Sequence, residues 1–347
     1  MKNPKAHHVI LAVLCLALAA VIAGCGSSGS GSTGGGGTSG GGSGETAKVA
    51  LLLNTYTDFT QAEKEGVEKV IGGAGGSVSP SNAEFEPQKQ IAQCQDAITS
   101  QRYNVIILGP ADSPSSVPCA TQAGEAGLPV IAMETPVGTS RTEVKPQIPQ
   151  VLASAVIEPL TDAETTFELV KEACKGIDPC KWITEIGTRS ASLDSTKIKY
   201  FEEQLAENPS IEQVQVLEGN YLPSETVAKL PNALAANPEV NVINFESDTN
   251  ALAALPAVKS AGLEGKVKLI GDGGSVAGAE GIAKGTLYGS VASFPRSNGE
   301  LAAEWALKAL AGEKISPNSA NALKLGKPLK LTKANVGSYE AQFGEKG

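Results

Sequence analysis

The stretch EPQKQIAQCQDAITSQRYNVIILGPADS, residues 86–113, decides the fold. It reads as an amphipathic helix over 87–100, with Pro87 at a boundary where its missing N–H does least harm. The β-branched run over 105–108 follows as a short strand. It ends in the loop Gly109-Pro110-Ala111-Asp112-Ser113, and a further helix is expected over 115–126. Strand and helix in alternation imply a parallel sheet covered on both faces, joined by right-handed crossovers.

The same alternation continues in both directions. A first set of strands is expected over 49–54, 76–80, 105–108 and 129–133. A second set is expected over 181–186, 213–218, 240–245, 266–270 and 287–292. Helices are expected over 61–71, 87–100, 115–126, 162–174, 195–207, 224–237, 249–261, 276–284 and 299–311. Gly72, Gly127, Gly176, Gly262, Gly285 and Gly312 fall at or after helix ends, where left-handed caps form. The break between the sets, 134–159, is rich in Pro, Thr and Val. The expected fold class is therefore α/β, with two doubly wound parallel-sheet lobes.

The first 45 residues carry an address. Lys2 and Lys5 precede an apolar, uncharged run over 9–23, which is short for a membrane span and suits a signal peptide. The run ends in Ile22-Ala23-Gly24-Cys25. Small residues before a cysteine resemble the bacterial lipobox, with Ile22 in place of the commoner Leu. That resemblance implies cleavage after residue 24 and lipidation of Cys25. An ordinary signal peptide cut nearby, or a short uncleaved anchor, is the alternative. Residues 26–44 hold 11 Gly and 8 Ser or Thr and nothing else. Such a segment buries no apolar surface and predicts a flexible tether with a reach of roughly 24 Å.

Composition excludes several chemistries. The chain has 347 residues, 28 Lys+Arg against 37 Asp+Glu, and a net charge of −9. An acidic balance argues against nucleic acid. Both histidines, His7 and His8, lie in the signal, so the remainder has no imidazole for a catalytic triad or a zinc or iron site. Neither metal nor cofactor is expected. Four cysteines remain after Cys15 and Cys25: Cys94, Cys119, Cys174 and Cys180. An even number in an exported chain suggests two disulfides. Cys174 and Cys180 bracket a helix-ending turn and are paired here, which leaves Cys94 with Cys119 on neighbouring helices. Free buried cysteines, or a zinc site without the usual spacing, are the rival readings.

Five pieces together carry a resemblance: AKVALLLNT, the stretch 86–113, AGLPVIAMET, VINFESDTNALAALPAVKSAGLEGKVKLIGDGG and AEGIAKGTLYGSV. Over about 48–333 the chain resembles the periplasmic sugar-binding proteins of ABC importers, of the ribose-binding type. The resemblance implies the type I fold, two lobes joined by a three-crossover hinge, with solute held in the cleft between them. The implied organisation is a signal peptide over 1–24, a lipidated cysteine and linker over 25–45, a first lobe over 46–153 plus 294–312, and a second over 154–293 plus 313–340.

The resemblance also implies ligand-binding residues, one position at a time. The family's ring-stacking aromatic falls at Phe59, with Asn54, Thr57 and Asp58 beside it; a core or staple role is the alternative. Sugar faces are rich in C–H, so a flat ring suits them. The family's acid after the third strand falls at Asp112, whose alternative is a helix cap. Its Asp-Arg pair falls on Glu134 and Thr135, so the Arg is lost and Arg141 is the nearby substitute. Its Asn-Asp falls on Ser247 and Asp248, of which Asp248 is taken for the cleft against a capping role. Its Gly-Phe-Asp-Gly falls on Gly271-Asp272-Gly273-Gly274, so the acid has moved one place to Asp272. The hinge Gln falls at Ser293, and another Arg at Ser195, near Arg189 and Lys197.

The function expected is capture of a small polar solute, a sugar or sugar-like molecule, and delivery to an ABC permease. The protein is expected to be a lipid-anchored monomer on the outer face of the cytoplasmic membrane or in the periplasm, and not an enzyme. Sensing for a membrane receptor is the alternative, and a carboxylate-based hydrolase using acids such as Glu84 and Glu86 the weaker one. Trp182 and Trp305 are expected to be packing residues.

Overall fold

A computed structural model describes residues 45–344. The expected signal segment, Cys25 and nearly all of the tether lie outside the described residues.

β1 (Lys48–Leu53) buries five of its six side chains. Its alternation decides which face each meets. Val49, Leu51 and Leu53 join one core cluster, while Ala50 and Leu52 join another on the opposite face. α1 (Asp58–Gly73) starts at Thr57, which accepts from Thr60 N while Thr60 Oγ1 returns a bond to Thr57 N. That reciprocal cap satisfies two amides that the helix itself leaves unpaired. β2 (Ser77–Asn82), α2 (Pro87–Thr99), β3 (Val105–Leu108), α3 (Val117–Glu125), β4 (Val130–Glu134) and β5 (Val151–Val156) follow. After β5 the chain crosses to a second sheet. There α4 (Pro159–Cys174), β6 (Cys180–Ile186), α5 (Ser192–Glu207), β7 (Ile211–Glu218), α6 (Pro223–Ala236), β8 (Val242–Asn244), α7 (Asp248–Ala253), α8 (Leu255–Ser260), β9 (Lys268–Gly273), α9 (Val276–Lys284) and β10 (Gly289–Ala292) form the second lobe. The chain then returns with α10 (Pro295–Leu310) and β11 (Ser319–Asn321), and crosses a third time to β12 (Lys330–Thr332).

The first sheet has the order β11-β5-β4-β3-β1-β2 and the second β12-β10-β9-β8-β6-β7. The pairs are parallel except β10 with β12. Each sheet has core clusters on both faces, and β3 at the centre of the first is apolar throughout. Trp182, fully buried, packs edge-on to Phe201 at 4.9 Å, and its Nε1 donates to Asn244 Oδ1 at 2.8 Å. Trp305 is buried on α10 beneath the first sheet. Both tryptophans are packing residues.

Cys94 and Cys119 form a disulfide between α2 and α3, and Cys174 and Cys180 one from the end of α4 to the start of β6. Among the described residues no helix is long and apolar enough to cross a membrane.

Three strands depart from expectation. β5, β11 and β12 were not anticipated, because their sequences VLASAV, SAN and KLT are short, partly polar and set among prolines. β5 and β11 both belong to the first sheet. The first lobe therefore runs through residue 156 and reclaims 319–321, beyond the boundaries expected at 153 and 312. The single helix expected over 249–261 is two, α7 and α8. Pro256 supplies no amide proton and its ring crowds the carbonyl four residues earlier, so the helix restarts there.

Candidate functional site

The segments that follow the carboxyl ends of the strands carry the contacts between the lobes. Ser113, after β3, and Ser192, at the start of α5, share a hydrogen bond at 3.3 Å between their buried hydroxyls. Arg141 spans the same boundary. Its Nη2 lies 3.3 Å from Asp112 Oδ1 in the first lobe, while Nη1 donates to the Ser190 carbonyl at 2.7 Å in the second. Asp112 also braces its own loop, since its Oδ2 accepts from Ser115 N at 3.0 Å. Gln90 shapes this loop from behind, donating to the Gly109 carbonyl and accepting from Ala111 N, each at 2.8 Å.

Two aromatics meet across the lobe boundary. Phe85, after β2, and Tyr221, after β7, stack with centroids 5.5 Å apart and planes inclined by 26°. Both have left-handed backbones, at φ 59° and 57°, which is rare for bulky residues and held only where the surroundings enforce it. A Cβ at Gly187 would lie 2.1 Å from the Tyr221 ring, so glycine there lets the ring lie flat on the chain. The Tyr221 hydroxyl donates to Asp194 Oδ2 at 2.6 Å. Burial, and the charges of Asp194 and Glu246, push that phenol well above its ordinary pKa.

At the end of β1, Asn54 Nδ2 donates to Glu134 Oε2 at 2.8 Å. Glu134 closes β4 with φ 64°, and its carbonyl accepts from Ile157 N at the first crossover. Burial raises its carboxyl pKa to about 7, against the lowering bond from Asn54. Behind it Glu63, wholly buried on α1, accepts from Asn298 Nδ2 at 2.9 Å. Burial first, then the charge of Glu134, drives its pKa well up. Phe59 is half-buried and edge-on to Phe343 at 5.5 Å. Thr57 is committed to the α1 cap, and Asp58 is exposed in the first turn.

In the second lobe a buried cation organises the strand ends. Lys197 Nζ lies 3.2 Å from Asp162, 3.0 Å from Glu246 and 3.0 Å from Asp272. Burial opposes its charge, but Asp162, Asp272 and Glu246 outweigh that and hold the ammonium well above its ordinary pKa. Burial raises Glu246 and Asp272 well up in turn, partly offset by Lys197. These three acids are the one carboxylate group, among the described residues, close enough to share a metal ion. The ammonium already sits at bonding distance from all three, so they are filled by the chain's own cation. Asp272, the shifted acid, thus points onto Lys197.

Asp248 is bonded within the second lobe. It is 1% exposed, with Oδ1 accepting from Ser290 Oγ at 2.7 Å and Oδ2 from Ser275 N at 2.6 Å. A Cβ at Gly271 or Gly278 would strike its carboxyl, each at 2.1 Å. It ties α7 to β9, β10 and α9 inside the second lobe; the neighbouring Ser247 caps α7. The cleft role expected of Asp248 is corrected on this ground. Phe85, Tyr221, Glu246 and Ser192 escaped sequence reasoning. Their available signal was position, two to six residues past a strand, without a residue type that singled them out.

The fold has relatives. The model of the periplasmic binding protein domain matches residues 49–314. The ribose import binding protein RbsB of Escherichia coli (strain K12) is 24% identical over 287 residues, covering 80% of this chain and 89% of that protein. An ABC transporter solute binding protein from Mycobacterium smegmatis, solved with bound glycerol, aligns with a TM-score of 0.73 at 21% identity, covering 87% of this chain and 100% of the other. One from Bacillus halodurans C-125, solved with bound myo-inositol, aligns with a TM-score of 0.75 at 19% identity, covering 87% and 99%.

Proposed function

The chain belongs to the periplasmic binding protein family, and on that footing we propose that it captures a small polar solute, a sugar or polyol, between its lobes and delivers it to an ABC permease. The observation that carries this reading is the meeting of the two lobes at the carboxyl ends of their strands, where parallel α/β sheets bind ligands. Polar and aromatic side chains converge there from both lobes: Phe85 against Tyr221, Ser113 against Ser192, Arg141 between Asp112 and Ser190.

The chemistry suits a neutral, hydroxyl-rich ring. Phe59 and Phe85 offer flat faces to C–H surfaces, and Tyr221 backs the Phe85 ring. Asn54, Glu134 and Asp272 offer acceptors for hydroxyls, and Arg141 a fork of donors. The action is capture and release, with no bond made or broken. Solute favours the closed lobes only through contacts unique to that state.

The site of action is outside the cytoplasm, on a protein held by a lipid on Cys25 and a Gly/Ser tether; the sequence over 22–44 supports this. Replacement C25A would release the protein from membranes, and persistent attachment would refute the anchor.

Thermal melting of residues 45–347 against pentoses, hexoses, polyols, nucleosides and amino acids tests the reading. Solute at 100 times its Kd stabilises by about 2.7 kcal/mol. One sugar or polyol that raises the Tm and is recovered unchanged supports capture. Stabilisation by an amino acid or nucleoside alone, or turnover of the bound compound, refutes it.

A further inference from the structure

The segment after β12 belongs to the second lobe by connection yet bonds to both lobes. Tyr339 donates its hydroxyl to the Gly274 carbonyl at 2.9 Å and sets its ring edge-on to Phe294 at the second crossover. Gln342 then clasps the first turn of α10, a first-lobe helix: its Oε1 accepts from Ser297 N at 3.0 Å and its Nε2 donates to Ser297 Oγ at 2.7 Å. The Phe343 carbonyl accepts from Val276 N at 2.9 Å, at the start of second-lobe α9. Tyr339, Gln342 and Phe343 thus fix this segment to the second lobe, to the first, and to the second again.

That anchoring places the Phe343 ring. One edge meets Phe59, at 5.5 Å and 77°. The other side covers the end of β9, where Gly273 has φ 105° and a Cβ would lie 2.8 Å from Phe343 Cζ. The ring therefore fills the volume that any side chain at 273 would take. It also limits which way the Phe59 ring can turn.

We propose that Phe343 is a positioning residue for solute capture: it holds the Phe59 ring in its binding orientation and walls off the cleft beside Gly273. The proposal rests on the solute-capture reading for its affinity consequence, but not for its effect on Phe59.

The two are separated by two measurements on residues 45–347, comparing wild type with F343A and F343L. First, 4-fluorophenylalanine is placed at position 59 and its ¹⁹F spectrum recorded without solute. One sharp resonance in wild type that shifts and broadens in F343A supports positioning; an unchanged resonance overturns it. Second, calorimetry with D-ribose and myo-inositol measures affinity. Loss of an edge-to-face contact predicts binding about three- to tenfold weaker in F343A, with F343L, which keeps the wall but not the ring edge, in between. Affinity equal to wild type in F343A overturns the role in capture even if the Tm falls. Should neither probe bind wild type, the ribose and inositol form of the capture reading fails, while the fluorine result still decides the positioning of Phe59.

Discussion

Phe85 and Tyr221 stack at 5.5 Å although they follow strands of different sheets and both hold left-handed backbones. The pair joins the lobes at the ends of β2 and β7, and Tyr221 is further pinned by Gly187 beneath it and Asp194 at its hydroxyl. Two rigid rings supply contact area at small entropic cost, and their mutual contact exists only when the lobes meet.

Removing one ring should favour the open form. An offset aromatic pair contributes ~0.5–1.5 kcal/mol beyond its buried area. F85A should therefore lower the closed population several-fold without unfolding either lobe. Small-angle scattering or inter-lobe fluorescence transfer reads this directly, and an unchanged distance distribution would count against the pair as a closure contact. Y221F keeps the ring and should close as wild type does.

R141A removes the one guanidinium that reaches Asp112 and Ser190 together. The ion pair is partly exposed, so its own worth is about 0–1 kcal/mol. The global Tm should hardly move, while the closed fraction falls and loses its salt dependence. A large drop in Tm with closure intact would show Arg141 to be a folding residue instead.

Glu134 predicts a pH dependence of known sign. Its folded pKa, about 7, lies above its ordinary value of 4.5. Between those values the folded state binds more protons than the unfolded chain, so stability is fully present below about 4.5 and is lost as pH rises through 7. The whole shift corresponds to up to roughly 3 kcal/mol. Burial likewise raises Asp248 to about 6, and it acts in the same direction. Urea titrations at pH 5 and 8 should show wild type losing more stability than E134Q; an equal loss would refute the assignment.

K197M leaves Asp162, Glu246 and Asp272 without their cation. Breaking a buried charge pair on one side costs ~3–5 kcal/mol. The surplus acids can then be relieved only by protonation, so the deficit should shrink as pH falls from 8 to 5. A deficit independent of pH would indicate lost packing of the lysine stem rather than uncompensated charge.

Much of this was legible in one dimension. The run Val105–Leu108 and the helix around it reported a buried parallel strand because every residue there is apolar, on either face. Cys174 and Cys180 reported a local clasp because six residues and a turn bring them together. β5 escaped because Ala and Ser carry little apolar signal, although its position between β4 and β11 buries it. Asp248 was misassigned because a short acid beside a strand end has the same local signature whether it faces a cleft or ties a lobe together. Lys197 was noticed only as a neighbour, since nothing in a helical lysine foretells three acids brought to it from α4, the turn after β8, and β9.

The chain order therefore determined nine of the twelve described strands, most of their helical covers and the local disulfide Cys174–Cys180, because these depend on patterns within about twenty residues. Tertiary structure alone decided that Phe85 meets Tyr221, that Arg141 reaches Ser190, that Asp248 turns inward and that Phe343 returns to Phe59. Those contacts form only when independently patterned lobes and a distant tail come together, and a local pattern encodes which face is buried but not what lies against it.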